Sequence, residues 1–345
     1  MVIVMGTNAT QADIDLVLAR LAEQGCRGEL TVGVERTIIT VVGPTTPALQ
    51  EDVRVLAHVV DVVLLGKSYD LAGLDSRPQG TIVGIGDGAR SAEIGGEQLA
   101  IIAGPGTVES AEQLAALGAP LREGGAAALM GGSLRPGQSP YAFTGLGEEG
   151  LRHLAAAREA TGLPVVEEVP DTVSLPMVAG YADALEIGPH GMTNFGLLEA
   201  VAATGKPVIL RRGFSATLDE WLLSAERILL AGNPHVVLCE AGIRTYETAT
   251  SHTPDLSAIP ALKRLTHLPV IADPARACGQ ADLVPDLAVA AVAAGADGVV
   301  VEVHPNPDHA LADGAQSLSP EAFLALSARL AALAPAVGRR LPRPA

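Results

Sequence analysis

The chain has 345 residues, too many for one small core and enough for a small domain plus a barrel. Hydrophobic residues make up 48%, with 38 Gly, 24 Pro and a formal net charge of −16. This is the composition of a soluble, turn-rich α/β protein, and it has no basic footprint for nucleic acid or an anionic membrane. Cys26, Cys239 and Cys278 are scattered without zinc-type spacing, no signal-peptide pattern opens the chain, and no run of roughly 18 apolar residues is evident. A reduced, cytoplasmic setting without a membrane partner is expected.

In chain order, residues 2–5 read as a short apolar strand. Residues 10–24 read as a helix, with Ile14, Val17, Leu18 and Leu21 at helical spacing and a stop at Gly25. Strands at 29–32 and 36–42 form a predicted hairpin turning over Gly33, Val34 and Glu35. A second amphipathic helix at 47–58 and a strand at 60–65 complete a βαββαβ order, the split βαβ, ferredoxin-like unit. This predicts a ferredoxin-like α+β domain at 1–66, serving either a regulator or partner, or packing and oligomerisation. A linker follows at 67–79.

A hairpin is predicted at 81–85 and 93–99. Eight apolar strands then alternate with helical segments, at 100–103, 127–130, 164–169, 184–187, 207–211, 236–240, 269–272 and 298–303. Near-continuous apolar strands indicate a parallel sheet covered on both faces, and eight repeats predict a (β/α)₈ TIM barrel over 80–335, with a Pro/Arg-rich tail at 336–345. In such a barrel the active site gathers at the strand ends.

Specific motifs stand there. Gly104-Pro105-Gly106-Thr107-Val108-Glu109-Ser110 resembles the GPCSVES of type I 3-deoxy-7-phosphoheptulonate (DAHP) synthases, the type with an N-terminal ferredoxin-like domain. Residues 139–150, SPYAFTGLGEEG, resemble that family's SPYxFQGLGEEG. Segments at 212–217, 242–247, 301–305 and 313–317 also match, so the resemblance covers nearly the whole chain. It implies an aldol-like condensation of phosphoenolpyruvate with erythrose 4-phosphate. It further implies a divalent ion, held by Cys, His, Glu and Asp, that polarises the aldehyde, and a ring of Arg and Lys around the phosphates.

The chain departs from that pattern at both sets. The resemblance places Gly106 at the Cys position and Arg276 at the His position, while the two carboxylates remain as Glu302 and Asp313. An always-charged guanidinium beside them repels a cation, so Arg276 is expected in the metal's place, paired with Glu302 and Asp313, with no metal and no other cofactor. Four of six basic positions are also replaced, by Met130, Gly137, His190 and Ala241; Arg135 and Arg211 keep their charge.

Arg276, Glu302, Asp313, His190 and His304 are therefore the candidate catalytic residues. Arg135, Arg211, Met130, Ala241, Gly106, Glu168 and Cys278 are the candidate substrate contacts. Arg276 is either an anion anchor or a structural plug, and His190 either an acid–base group or a hydrogen-bonded loop residue. Cys239, Trp221 and the stripe of Leu222, Leu223, Ile228 and Leu229 read as core. Losing Arg to Met, Ala and Gly predicts a larger, more apolar pocket. The leading expectation is a frame reused in bacterial specialised metabolism, metal-independent, acting on a less charged carboxylate-bearing or polar small molecule. The alternatives are a catalytically inactive binding or regulatory homologue, and a residual DAHP synthase. A homodimer or homotetramer is expected from the resemblance.

Overall fold

Alternating apolar side chains build the first unit. In β1 (Val2–Met5), Ile3 and Met5 are buried. α1 (Gln11–Glu23) begins at a Thr10–Asp13 capping box and buries Ile14, Val17 and Leu21 at helical spacing. β2 (Arg27–Val32), β3 (Thr37–Val42), α2 (Pro47–Arg54) and β4 (Val59–Val63) follow. The antiparallel sheet has the order β2-β3-β1-β4, with Ile3 opposite both Ile39 and Val62. This is the expected ferredoxin-like domain. α2 stops at Arg54, short of the predicted 58, and His58 at φ +61° lies in left-handed backbone that no helix continues through.

The computed structural model describes residues 1–33, 36–63, 68–88, 91–135 and 141–341, in two compact units, Met1–Gly73 and Leu74–Ala345. The predicted turn at Val34 and Glu35, the end of the strand predicted at 60–65, and the motif residues 136–140 lie outside the described residues.

The second unit opens on the hairpin β5 (Val83–Ile85) and β6 (Ala92–Ile94). Eight parallel strands then close a barrel in chain order: β7 (Ala100–Gly104), β8 (Ala128–Gly131), β9 (Val165–Glu168), β10 (Ala184–Ile187), β11 (Val208–Arg211), β12 (Val236–Glu240), β13 (Val270–Ala272) and β14 (Gly298–Glu302). The helices are α3 (Ala111–Glu123), α4 (Glu148–Thr161), α5 (Leu175–Tyr181), α6 (Phe195–Ala202), α7 (Leu218–Leu230), α8 (Ala258–Leu265), α9 (Pro274–Cys278), α10 (Val284–Ala293) and α11 (Pro320–Leu333). The predicted TIM barrel is present, strand for strand.

Successive side chains point to opposite faces of a strand. Ile102, Ala128, Val166, Ala184, Ile209, Val237, Ile271 and Val300 form one buried cluster with Val83, Ile85 and Ile94, so the hairpin closes the barrel where its strands begin. The Thr81 hydroxyl, just ahead of the hairpin, lies 2.7 Å from His267 Nδ1, three residues before β13. At the seam, Gly298 of β14 pairs with Ala100 of β7, and a Cβ on Gly298 would overlap the Ala100 carbonyl.

One stretch, Pro320–Val337, is long and apolar enough to cross a membrane by length and composition, contrary to the expectation that no such run exists. Its Phe323, Leu326 and Leu330 are buried, and Ser327 donates a hydrogen bond to the Gly124 carbonyl at the end of α3. Those contacts are those of an outer barrel helix.

Candidate active site

The same alternation that supplies the core carries polar groups to the other end of the barrel. Two residues beyond Ala128, Val166, Ala184, Ile209 and Val300 stand Met130, Glu168, Glu186, Arg211 and Glu302. With Gly106 and Arg135 from the loops and Arg276 from α9 they line one pocket with about 10 Å³ of free space, room for little more than a water. The structure thus brings together seven predicted site residues: Gly106, Met130, Glu168, Arg135, Arg211, Arg276 and Glu302. The expectation of a larger, more apolar pocket is wrong. Removing Arg side chains left buried carboxylates needing counter-charge, and the remaining guanidinium groups fold in to supply it.

Arg211 is wholly committed. Its Nε and Nη2 donate to the two Glu186 carboxylate oxygens at 2.7 and 3.0 Å, and Nη1 pairs with Asp273. Burial works against its charge, yet Glu186 and Asp273 hold its pKa well above the ordinary value. It lines the pocket, as expected, and there it neutralises two buried acids.

Arg135 makes the contact expected of Arg276. Its Nη1 donates to the Gly106 carbonyl at 2.6 Å and pairs with Asp313. Burial opposes its charge, and Glu302, Asp313 and Glu168 raise its pKa against that. Asp313 holds its position in left-handed backbone, φ +57°. Arg276 sits at the first turn of α9, its backbone N–H capped by Asp273. Its Nε is buried without a hydrogen-bond partner among the described residues.

Glu302 Oε1 accepts from Gln316 at 2.8 Å, while Oε2 is buried and unpartnered among the described residues. Burial raises the Glu302 carboxyl above its usual range, against the pull of Arg135. Burial also raises Glu168, and neighbouring Glu186 adds to it.

Other candidates lie apart from the pocket. His304 Nε2 faces Glu109 at 3.3 Å, and its Nδ1 accepts from the Asn306 N–H, so both ring nitrogens are occupied. Cys278 is buried, its thiol toward the Gln280 carbonyl at 3.2 Å and its pKa raised by burial; Ala241 is buried beyond β12. His190 is exposed and meets the Phe214 ring edge-on at 5.6 Å. Phe214 stacks at 3.9 Å on His252, whose pKa is lowered by burial and further by Arg244, Arg276 and His190.

Sequence reasoning missed Glu186, Asp273 and this Phe214–His252 stack. Strand parity was signal enough for Glu186, two residues past inward Ala184. It also missed Glu167, whose side chain leaves the opposite face of β9 and accepts from Ser133 N at 2.7 Å and Ser133 Oγ at 3.1 Å. Burial pushes that carboxyl up to about 8.

A model of the DAHP synthetase I family matches residues 83–335, and one of the DAHP synthase ferredoxin-like domain matches residues 1–66. The chain belongs to the DAHP synthetase I family. It is 41% identical over 338 residues to a phospho-2-dehydro-3-deoxyheptonate aldolase of Thermotoga maritima, covering 98% of this chain and 99% of that one. The crystal structure of a Thermotoga maritima phospho-2-dehydro-3-deoxyheptonate aldolase (DAHP synthase) superposes with a TM-score of 0.87 at 40% identity, covering 99% of each chain. A 2-dehydro-3-deoxyphosphooctonate aldolase of Nitrobacter hamburgensis is 35% identical over 268 residues, covering 71% of this chain and 92% of that one.

These findings correct the functional expectation. The end-to-end match to a DAHP synthase overturns both a frame reused for another substrate and an inactive homologue, and it supports an enzyme of the family's own kind. Substitutions at a few strand ends weighed too heavily against the rest of the chain.

The divalent ion implied by the family does not fit this set of side chains. Gly106 offers no donor, and Asp313 is paired to Arg135. Among the described residues no group of three or more His, Cys, Asp or Glu is placed to share a metal ion.

Proposed function

We propose that the chain catalyses a DAHP synthase condensation, joining phosphoenolpyruvate to erythrose 4-phosphate in the mouth of its barrel. The observation that carries this reading is the match along the full length of a phospho-2-dehydro-3-deoxyheptonate aldolase, ferredoxin-like domain included. The octonate aldolase of Nitrobacter hamburgensis aligns with a smaller share of the chain. A heptonate has seven carbons, three from phosphoenolpyruvate and four from the acceptor.

In that reaction C3 of phosphoenolpyruvate bonds to the aldehyde carbon, whose oxygen takes a proton. Water adds to C2, the C2–O bond to phosphate breaks, and inorganic phosphate leaves. The chain's part is charge and position. Arg276 lines the pocket, has a buried Nε donor without a partner among the described residues, and anchors an anionic group of the three-carbon substrate. Glu302 Oε2, without a partner among the described residues, accepts a hydrogen bond from the attacking water or the new hydroxyl. His190, His252 and Arg244 supply polar groups for the acceptor outside the pocket.

The test is turnover of the purified chain with both substrates, reading phosphate release and the mass of the organic product. A seven-carbon phosphorylated acid formed one-for-one with phosphate is expected. Phosphoenolpyruvate left intact would refute the reaction. Arg276→Met should lower kcat/KM by at least about 30-fold, the scale of an unpaired buried charge contact.

A further inference from the structure

We infer that the guanidinium of Arg135 is a built-in cation standing where the family's pattern implies a divalent ion, and that this chain takes up no such ion there. The inference deepens the reading above by naming what neutralises the carboxylates of the same site.

Three observations converge. First, Gly106 leaves the space that Arg135 and Glu302 use. A Cβ there would overlap Glu302 Oε2 and lie 3.1 Å from Arg135 Nη1, so a ligating side chain at 106 would displace Glu302 and press on Arg135. Second, Arg135 is held from two sides, by the Gly106 carbonyl at 2.6 Å and by Asp313, and its side chain is only 10% exposed. One positive group thus touches Gly106 and Asp313 and acts on the charge of Glu302, all three at positions that the pattern gives to metal ligands. Third, Arg276 lines the same pocket with a second permanent charge. A doubly charged ion admitted here would face two guanidinium groups, with Glu302 Oε2 unpartnered among the described residues and one Asp313 oxygen already paired to Arg135.

The arrangement also explains the small pocket. Gly132, whose added Cβ would overlap both the Arg135 side chain and the Gly106 carbonyl, lets the arginine fold back over the β7–α3 loop. Ser133, fixed by Glu167, sets where that arginine starts.

The experiment is calorimetric titration of the full chain, stripped with a chelator, with Mn²⁺ alone, so that it does not depend on turnover. Wild type is expected to show no stoichiometric uptake abolished by Asp313→Asn or Glu302→Gln. Arg135→Ala, which frees Asp313, is expected to gain uptake. Gly106→Cys with Arg135→Ala and Arg276→His is expected to bind one equivalent. Trp221 fluorescence reports whether each variant folds, and if the triple variant does not, wild type and Arg135→Ala decide. One equivalent bound by wild type and lost in Asp313→Asn overturns the inference. So does an Arg135→Ala protein that folds yet binds no more Mn²⁺ than wild type. Ion uptake unaffected by Asp313→Asn and Glu302→Gln lies elsewhere and supports the assignment. Failure of the chelated enzyme to form product, with no Mn²⁺ bound, would count against the reaction and not against Arg135.

Discussion

The two ends of the barrel are built from the same strands and hold together by opposite means. Where the strands begin, Val83, Ile85 and Ile94 of the hairpin press on aliphatic side chains in one apolar cluster. Where they end, Glu186, Arg211 and Asp273 make a buried ionic triad beside Arg135, Asp313 and Glu302. The first end gains from area removed from water, which tolerates exchange of one aliphatic group for another. The second is balanced charge, where desolvation nearly offsets attraction and the loss of one partner is felt at once. Apolar burial is concentrated at one end and charge at the other, and the dividing line is two residues along a strand.

The largest effect should come from breaking the triad. Arg211→Met leaves Glu186 and Asp273 buried and unpaired, at a cost of about 3–5 kcal/mol. Urea unfolding followed by Trp221 fluorescence reads it, and an unchanged midpoint would show that water reaches those acids. At the other end, Ile94→Ala should cost about 2–4 kcal/mol through the cavity it leaves. Its KM values should stay those of wild type, and a shifted KM would mean the two ends are coupled.

A third variant separates the two faces of one strand. Glu167 has a folded pKa of about 8 against an ordinary 4.5. The folded chain therefore holds a proton that the unfolded chain releases between those values. Its contribution is fully present below about pH 4.5 and is lost as pH rises toward 8. Glu167→Gln keeps the shape without the titration, so its stability relative to wild type should rise by ~1 kcal/mol per pH unit across that window. A flat difference between the two proteins would place Glu167 as an ordinary ionised carboxylate. The smallest change expected is Thr217→Ala, which removes the capping box of α7. It should cost about 1 kcal/mol in the same unfolding assay and leave both ends of the barrel otherwise unaltered.

The elements were legible because each is announced locally. Apolar runs mark strands covered on both faces, and Ile14, Val17 and Leu21 at helical spacing mark the first helix. The nearness of certain positions was legible too, since motifs at strand ends place Glu302, Asp313, Arg135 and Arg276 in one neighbourhood. Their partnership was not. Arg135 and Asp313 are 178 positions apart, and no spacing rule says which of two guanidinium groups reaches a given carboxylate. Nor does a set of replaced arginines say how far a remaining one will fold inward. That is decided by Gly106 and Gly132, whose lack of a Cβ makes room. Activity was read least well, because a handful of altered side chains was set against an otherwise matching chain.

The seam of the barrel has a consequence for how the protein is made. β7 must pair with β14, about 200 residues further along, so a ribosome working at roughly 5–20 residues per second leaves the β7 edge open for about 10–40 s. During that interval Ala100, Ile101 and Ile102 form an unpaired apolar edge, a template for the wrong neighbour. Early strands can pair with each other as they emerge, but the ring is completed only by the last of them, and Gly298 is the residue small enough to let that final strand dock against Ala100.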